Sequence, residues 1–140
     1  MKNVFFAVAT LFAFTASAQK NLEISNLPQP ALSFIETHFA GIPVTKVKAD
    51  KENGDKGYEV TLSNGTEIEF KSDGSYRGVD GNHRPIPTAF IDPKIMNYVT
   101  ENYPQSKITH IDYDRKSIEV ELGNIDLEFS LDGRLISADY

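Results

Sequence analysis

The stretch from Tyr58 to Tyr76, YEVTLSNGTEIEFKSDGSY, alternates apolar and polar side chains around Asn64-Gly65 and then meets a second turn at Asp73-Gly74. A period of two marks strands with one buried face. Asn-Gly between such runs marks a hairpin, and a type I′ turn there would put both central residues at positive φ. The pattern returns from Ile118 to Leu135 as IEVELGNIDLEFSLDGRL. The chain therefore reads as one supersecondary unit used twice.

The repeat extends beyond the hairpins. Ala31, Phe34, Ile35 and Phe39 share one face of a helix predicted over Leu27–Phe39, with Pro28 and Pro30 in its first turn and Gly41 and Pro43 after it. Ile95, Tyr98, Val99 and Tyr103 repeat that spacing after Asp92-Pro93, an N-cap followed by Pro. Val44–Asp50 and Ile108–Asp114 read as first strands. Gly57–Ser63, Thr66–Lys71 and Ser75–Asp80 follow in one copy, and Ile118–Leu122, Asp126–Phe129 and Arg134–Asp139 in the other. Ala31 and Ile95 lie 64 positions apart, Tyr58 and Ile118 60, and Asp73 and Asp132 59, so both deletions fall in turns. A register kept through such changes is the signature of duplication.

These elements predict an α+β domain: a tandem duplication of a helix and four antiparallel strands, forming one roughly eight-stranded antiparallel sheet with two helices packed on one face. Repeat 1 spans 27–80, a Gly- and Pro-containing joint 81–87, and repeat 2 spans 88–140. Before them, MKNVFFAVATLFAFTASAQK has a basic start, an apolar run and Ala16-Ser17-Ala18. That is the form of a secretory signal peptide over residues 1–18, with cleavage after Ala18 and a periplasmic or secreted domain over 19–140. No stretch is long and apolar enough to span a bilayer.

Composition narrows the function classes. The chain has no Cys, which excludes disulfides, thiolate metal sites and a lipid anchor on an N-terminal Cys. Its formal charge is −6. Nucleic acid and anionic lipid repel such a chain, whereas a basic protein or peptide does not. The motifs of nucleophilic hydrolases, phosphate loops and zinc proteases are missing. His38, His83 and His110 have no second ligand at metal spacing, and DKENGDKGYE at 50–59 lacks the EF-hand order. No enzyme activity, metal or cofactor is expected.

Alternation also sorts the side chains. Tyr58, Val60, Leu62, Ile68 and Phe70, with Ile118, Val120, Leu122, Leu127 and Phe129, should face the helices. Glu59, Glu67, Glu69, Glu119, Glu121, Asp126 and Glu128, with Thr61, should face the other way, joined by Lys46, Lys48 and His110. This charged, open face is the candidate binding surface.

LPQPALSFIETHF, YEVTLSNGTEIEFKSDGSY and their second copies resemble the PepSY-like, β-lactamase-inhibitor-like family of periplasmic proteins over nearly the whole exported chain. The resemblance implies export, no known enzymatic activity, and an eight-stranded sheet backed by helices. In β-lactamase inhibitor proteins the open sheet face grips the enzyme, so the same role would fall on the charged face. Without Trp or Cys, this chain lacks the aromatic anchors and disulfides of secreted inhibitors. The expected function is a non-enzymatic module that engages a protein or peptide through that face. The alternative is a periplasmic cation-binding or envelope-stress protein, since clustered carboxylates raise one another's pKa until a cation relieves them.

Overall fold

Seven apolar residues run in one unbroken cross-strand file through both copies. Val47, Val60, Ile68, Val79, Ile111, Val120 and Leu127 are each the direct antiparallel partner of the next. All are buried. The file is the spine of the core in a computed structural model that describes residues 21–52 and 55–140. The signal-peptide reading lies outside those residues.

The sheet has nine strands in strict sequence order. They are β1 (Asn21–Leu22), β2 (Val44–Glu52), β3 (Asp55–Leu62), β4 (Glu67–Lys71) and β5 (Tyr76–Asp80), then β6 (His110–Tyr113), β7 (Ser117–Leu122), β8 (Ile125–Ser130) and β9 (Leu135–Asp139). Eight of them are the duplicated strands. The ninth is β1, a short addition to the edge of β2 that alternation over two residues cannot announce. Strands β2 and β3 also run further than expected, into the polar stretch after Asp50, because their ladder continues to Glu52 and Asp55.

Helices α1 (Gln29–His38) and α2 (Pro93–Asn102) cover the apolar face. Ala31, Ile35 and Phe39 from the first, and Ile95 and Val99 from the second, are buried as their spacing predicts. Phe34 meets Phe70 edge to face at 5.6 Å, and Tyr98 meets Phe129 in the same way at 5.5 Å. The equivalence of the two contacts shows the duplication in side chains as well as in topology. Asp92 caps α2 by accepting the Lys94 N–H at 2.8 Å.

The turns depart from the expected type. At Asn64-Gly65 only Gly65 has positive φ, at 88°. Gly65 N–H donates to the Leu62 carbonyl and Leu62 N–H to that of Thr66. This is the three-residue loop with a left-handed Gly that makes a G1 bulge. The Asn64 side chain stabilises it by accepting the Thr66 N–H, a bond that needs no positive φ at Asn64. Type I′ signs appear instead in the joint, where Asn82 and His83 have φ of 50° and 67° and Arg84 N–H donates to the Gly81 carbonyl. Asn82 Nδ2 also donates to the Gly65 carbonyl at 2.6 Å, tying the joint to the first hairpin.

Phe70 and Phe129 are fully enclosed, so replacing either with Ala removes a ring and leaves a cavity. The expected loss is about 3–5 kcal/mol for each. Urea denaturation followed by circular dichroism checks it, and a shift confined to part of the transition would show that the halves unfold separately.

Candidate functional site

The open face is built by the same registers that build the core. One file runs Lys48, Glu59, Glu69, Gly78, Asp112, Glu119, Glu128 and Ser137, each paired with the next. A second runs Lys46, Thr61, Glu67, Asp80, His110, Glu121, Asp126 and Asp139. All eleven residues assigned to this face from the sequence therefore sit in its two adjacent rows. The structure adds Asp80, Asp112 and Asp139, of which Asp112 follows His110 by two residues and shares its face by the same alternation.

The two halves of this face differ in how their charge is met. In the first half, Lys48 Nζ lies 3.1 Å from Glu59. Arg77 is buried and spans two carboxylates, with Nη2 3.1 Å from Asp50 and Nε 3.4 Å from Glu69. It reaches them because β5 bulges there: Gly78 pairs with Glu69 and Tyr76 with Phe70, leaving Arg77 as the extra residue. Strict alternation assigns Arg77 no place on the charged face, so sequence reading missed it. Asp50, Glu59 and Glu69 bring one carboxylate oxygen each to within 4.8 Å of one another, a spacing that could hold a cation.

In the second half, the residue that matches Arg77 is Ile136, also the bulge residue and 55% exposed. The carboxylates of Asp112, Glu119, Glu121, Asp126, Glu128 and Asp139 share these rows with His110. Its Nδ1 lies 3.5 Å from Glu121. Glu128 accepts from the Ser137 hydroxyl at 3.4 Å. Partial burial, helped by the negative charges of Asp112, Asp114 and Glu128, raises the Glu119 pKa, and His110 opposes the rise. Glu119, Glu121, Asp126, Glu128, Ser137 and Asp139 line a shallow cavity of about 180 Å³. The carboxylates of the tight turns behave differently. Those of Asp73, Asp114 and Asp132 are held below their usual range, chiefly by Ser75, by the Lys116 and Ser117 N–H groups, and by Ser130 respectively.

His38 packs against Phe34 and Phe90 at 4.8 and 5.0 Å and belongs to an aromatic cluster with Tyr76 and Tyr113. It has no place on the charged face. Among the described residues, no helix is long and apolar enough to cross a membrane.

The model of the family described as "putative beta-lactamase-inhibitor-like, PepSY-like" matches the chain twice, over residues 13–64 and 56–137. The chain belongs to the PepSY-like family. Three solved structures resemble this PepSY-like protein closely. A protein from Bacteroides thetaiotaomicron, described as a "putative calcium-regulated periplasmic protein", is 37% identical with a TM-score of 0.83, over 89% of this chain and 99% of its own. A periplasmic protein of the DUF2874 family from Bacteroides vulgatus is 32% identical over the same shares, also with a TM-score of 0.83. Another B. vulgatus periplasmic protein, of unknown function, is 28% identical with a TM-score of 0.79, over 86% of this chain and 100% of its own. No curated protein matches. The relatives support a periplasmic location, and neither they nor the family are described as enzymes.

Two outcomes test the electrostatics of the face. Arg77→Met leaves Asp50 and Glu69 without the guanidinium between them. Removing one member of a buried ion pair costs about 3–5 kcal/mol, and these half-exposed acids should bring that to about 1–3 kcal/mol in urea denaturation. For Glu119 the sign follows from its raised folded pKa. The folded state holds this proton more tightly than the unfolded chain, so ionisation lowers stability as pH climbs from the ordinary value of 4.5. Glu119→Gln should therefore gain in melting temperature over wild type between pH of about 4 and about 7. An equal difference at both ends would show that Glu119 is solvated like an isolated carboxylate.

Proposed function

We propose that this PepSY-like protein is an exported, non-enzymatic binding module whose charged sheet face, and above all its second half, engages a basic protein or peptide. The observation that carries this reading is the asymmetry between the copies. The first half meets its carboxylates with Lys48 and Arg77, whereas the second half gathers Glu119, Glu121, Asp126, Glu128 and Asp139 in two rows with His110 beside Glu121. Like charges set opposite one another across strands are destabilising, and Glu119 opposite Glu128 and Asp126 opposite Asp139 are such pairs. A cationic partner would relieve them, so part of its affinity would come from a strain already present in the free protein. The relatives' periplasmic location and the family's likeness to β-lactamase inhibitors agree with export and with a binding role.

The test is recovery from periplasmic extract by wild type and by the Glu119→Lys/Glu121→Lys/Glu128→Lys variant. Recovery of a specific basic partner should fall about tenfold or more, on the scale of like-charge juxtaposition in an interface. Equal recovery of every partner would remove this face from the function.

A cation-binding role is a second reading. It is favoured by the oxygens of Asp50, Glu59 and Glu69 within 4.8 Å of one another and by the calcium-regulated description given to the B. thetaiotaomicron relative. Arg77 and Lys48 already occupy that cluster, which places this reading second. Titration calorimetry with Ca²⁺ decides it: heat and a rise in melting temperature, both lost in Glu59→Gln/Glu69→Gln, are its expected results.

A further inference from the structure

In the first copy, the outer edge of β5 is covered by β6. Gly78 lies opposite Asp112, Val79 opposite Ile111 and Asp80 opposite His110. In the second copy, Ser137, Ala138 and Asp139 of β9 hold those three positions. They pair with Glu128, Leu127 and Asp126 as Gly78, Val79 and Asp80 pair with Glu69, Ile68 and Glu67. Among the described residues nothing pairs with the outer edge of β9. The edge at the far end of the sheet is different, because Asn21–Leu22 of this chain adds there to β2 as β1.

Natural edge strands are blunted by charged side chains, Pro, bulges, shortness or a covering segment, and of these β9 has a bulge at Ile136, a charge at Asp139 and a length of five residues. The sequence of β9, LISAD, has neither Lys nor Pro. Leu135 and Ile136 are 38% and 55% exposed. The strand is also held in place beyond its last residue, where the Tyr140 and Tyr103 hydroxyls share a hydrogen bond of 2.8 Å. An incoming strand would meet extended backbone at Ser137–Asp139, beyond the bulge at Ile136. On one side of the sheet it would find the carboxylates of Asp126, Glu128 and Asp139, and on the other Ala138 and Leu135.

We propose that β9 accepts an added antiparallel strand from a basic protein, with a cationic side chain beside Asp139 and an apolar one beside Ala138. The seam within this fold is the template. There His110 lies opposite Asp80 and Ile111 opposite Val79, a basic residue followed by an apolar one, and Asp112 lies opposite Gly78, the position that Ser137 holds in the second copy. Backbone hydrogen bonds supply affinity in such strand addition, and alternate side chains supply selectivity. A second copy of this chain fits less well, because it brings the same negative charge and another Asp139 to the edge. The inference rests on the acid-rich reading of the second half and adds to it a place and a mode of binding.

The probe is a synthetic peptide of five Lys-Val repeats, titrated into the full chain and followed by amide chemical shifts and hydrogen exchange. Three controls accompany it: Glu-Val repeats, the Lys-Val peptide N-methylated at alternate Val residues, and the Glu128→Lys/Asp139→Lys variant. Strand addition predicts new protection at the amides of Leu135–Asp139. It also predicts about tenfold or more weakening by N-methylation, which removes backbone donors but no charge, and by the double variant. Binding that ignores N-methylation and leaves β9 unprotected would overturn strand addition while sparing the acidic face. Protection of β9 that grows with protein concentration in the absence of peptide would overturn the basic partner in favour of a second copy. No binding of Lys-Val repeats at low salt would bring down both the inference and the reading beneath it.

Discussion

The apolar file from Val47 to Leu127 is the constraint on which everything else in this molecule depends. Antiparallel pairing makes each member the direct neighbour of the next, so the file fixes the register of seven strands together. Each fully buried aliphatic side chain contributes about 1.5–3 kcal/mol. A slip of one residue in any strand would turn its buried side chains to water and its carboxylates toward the helices. The charged face is thus held in place by the core behind it.

That coupling explains why the open face could diverge between copies while the fold did not. The buried positions match closely: Val60 with Val120, Leu62 with Leu122, Phe70 with Phe129. The bulge position does not, being Arg77 in one half and Ile136 in the other. A bulge residue lies outside the alternation that the core enforces, so it can change from a guanidinium to an alkyl group without disturbing the register. The exchange leaves the second half with no guanidinium at the position from which Arg77 reaches Asp50 and Glu69 in the first.

The sequence made most of this legible where a strict period operates. Glu59, Glu69, Glu119 and Glu128 were assigned to one face by alternation, and they occupy one cross-strand row. The helix faces carried by Ile35 and Val99 were equally plain. Readability failed where the period breaks or is too short. Arg77 was hidden by its bulge, Asp139 by a brief strand that follows a bulge, and β1 by having two residues. Asn64-Gly65 gave the right hairpin and the wrong turn, because the dipeptide serves a G1 bulge as well as it serves type I′.

The ladder between β5 and β6 joins the halves through three residue pairs, the fewest of any neighbours among the duplicated strands. Every other neighbouring pair among those strands is a hairpin closed by a short loop, whereas this one must wait for the whole excursion from Asp80 to His110 to be gathered in. Closing that excursion has a larger entropic penalty than any of the tight turns. Closure entropy therefore favours the hairpins of each copy over the union of the copies, and the old boundary between the copies survives as the most non-local join in the sheet.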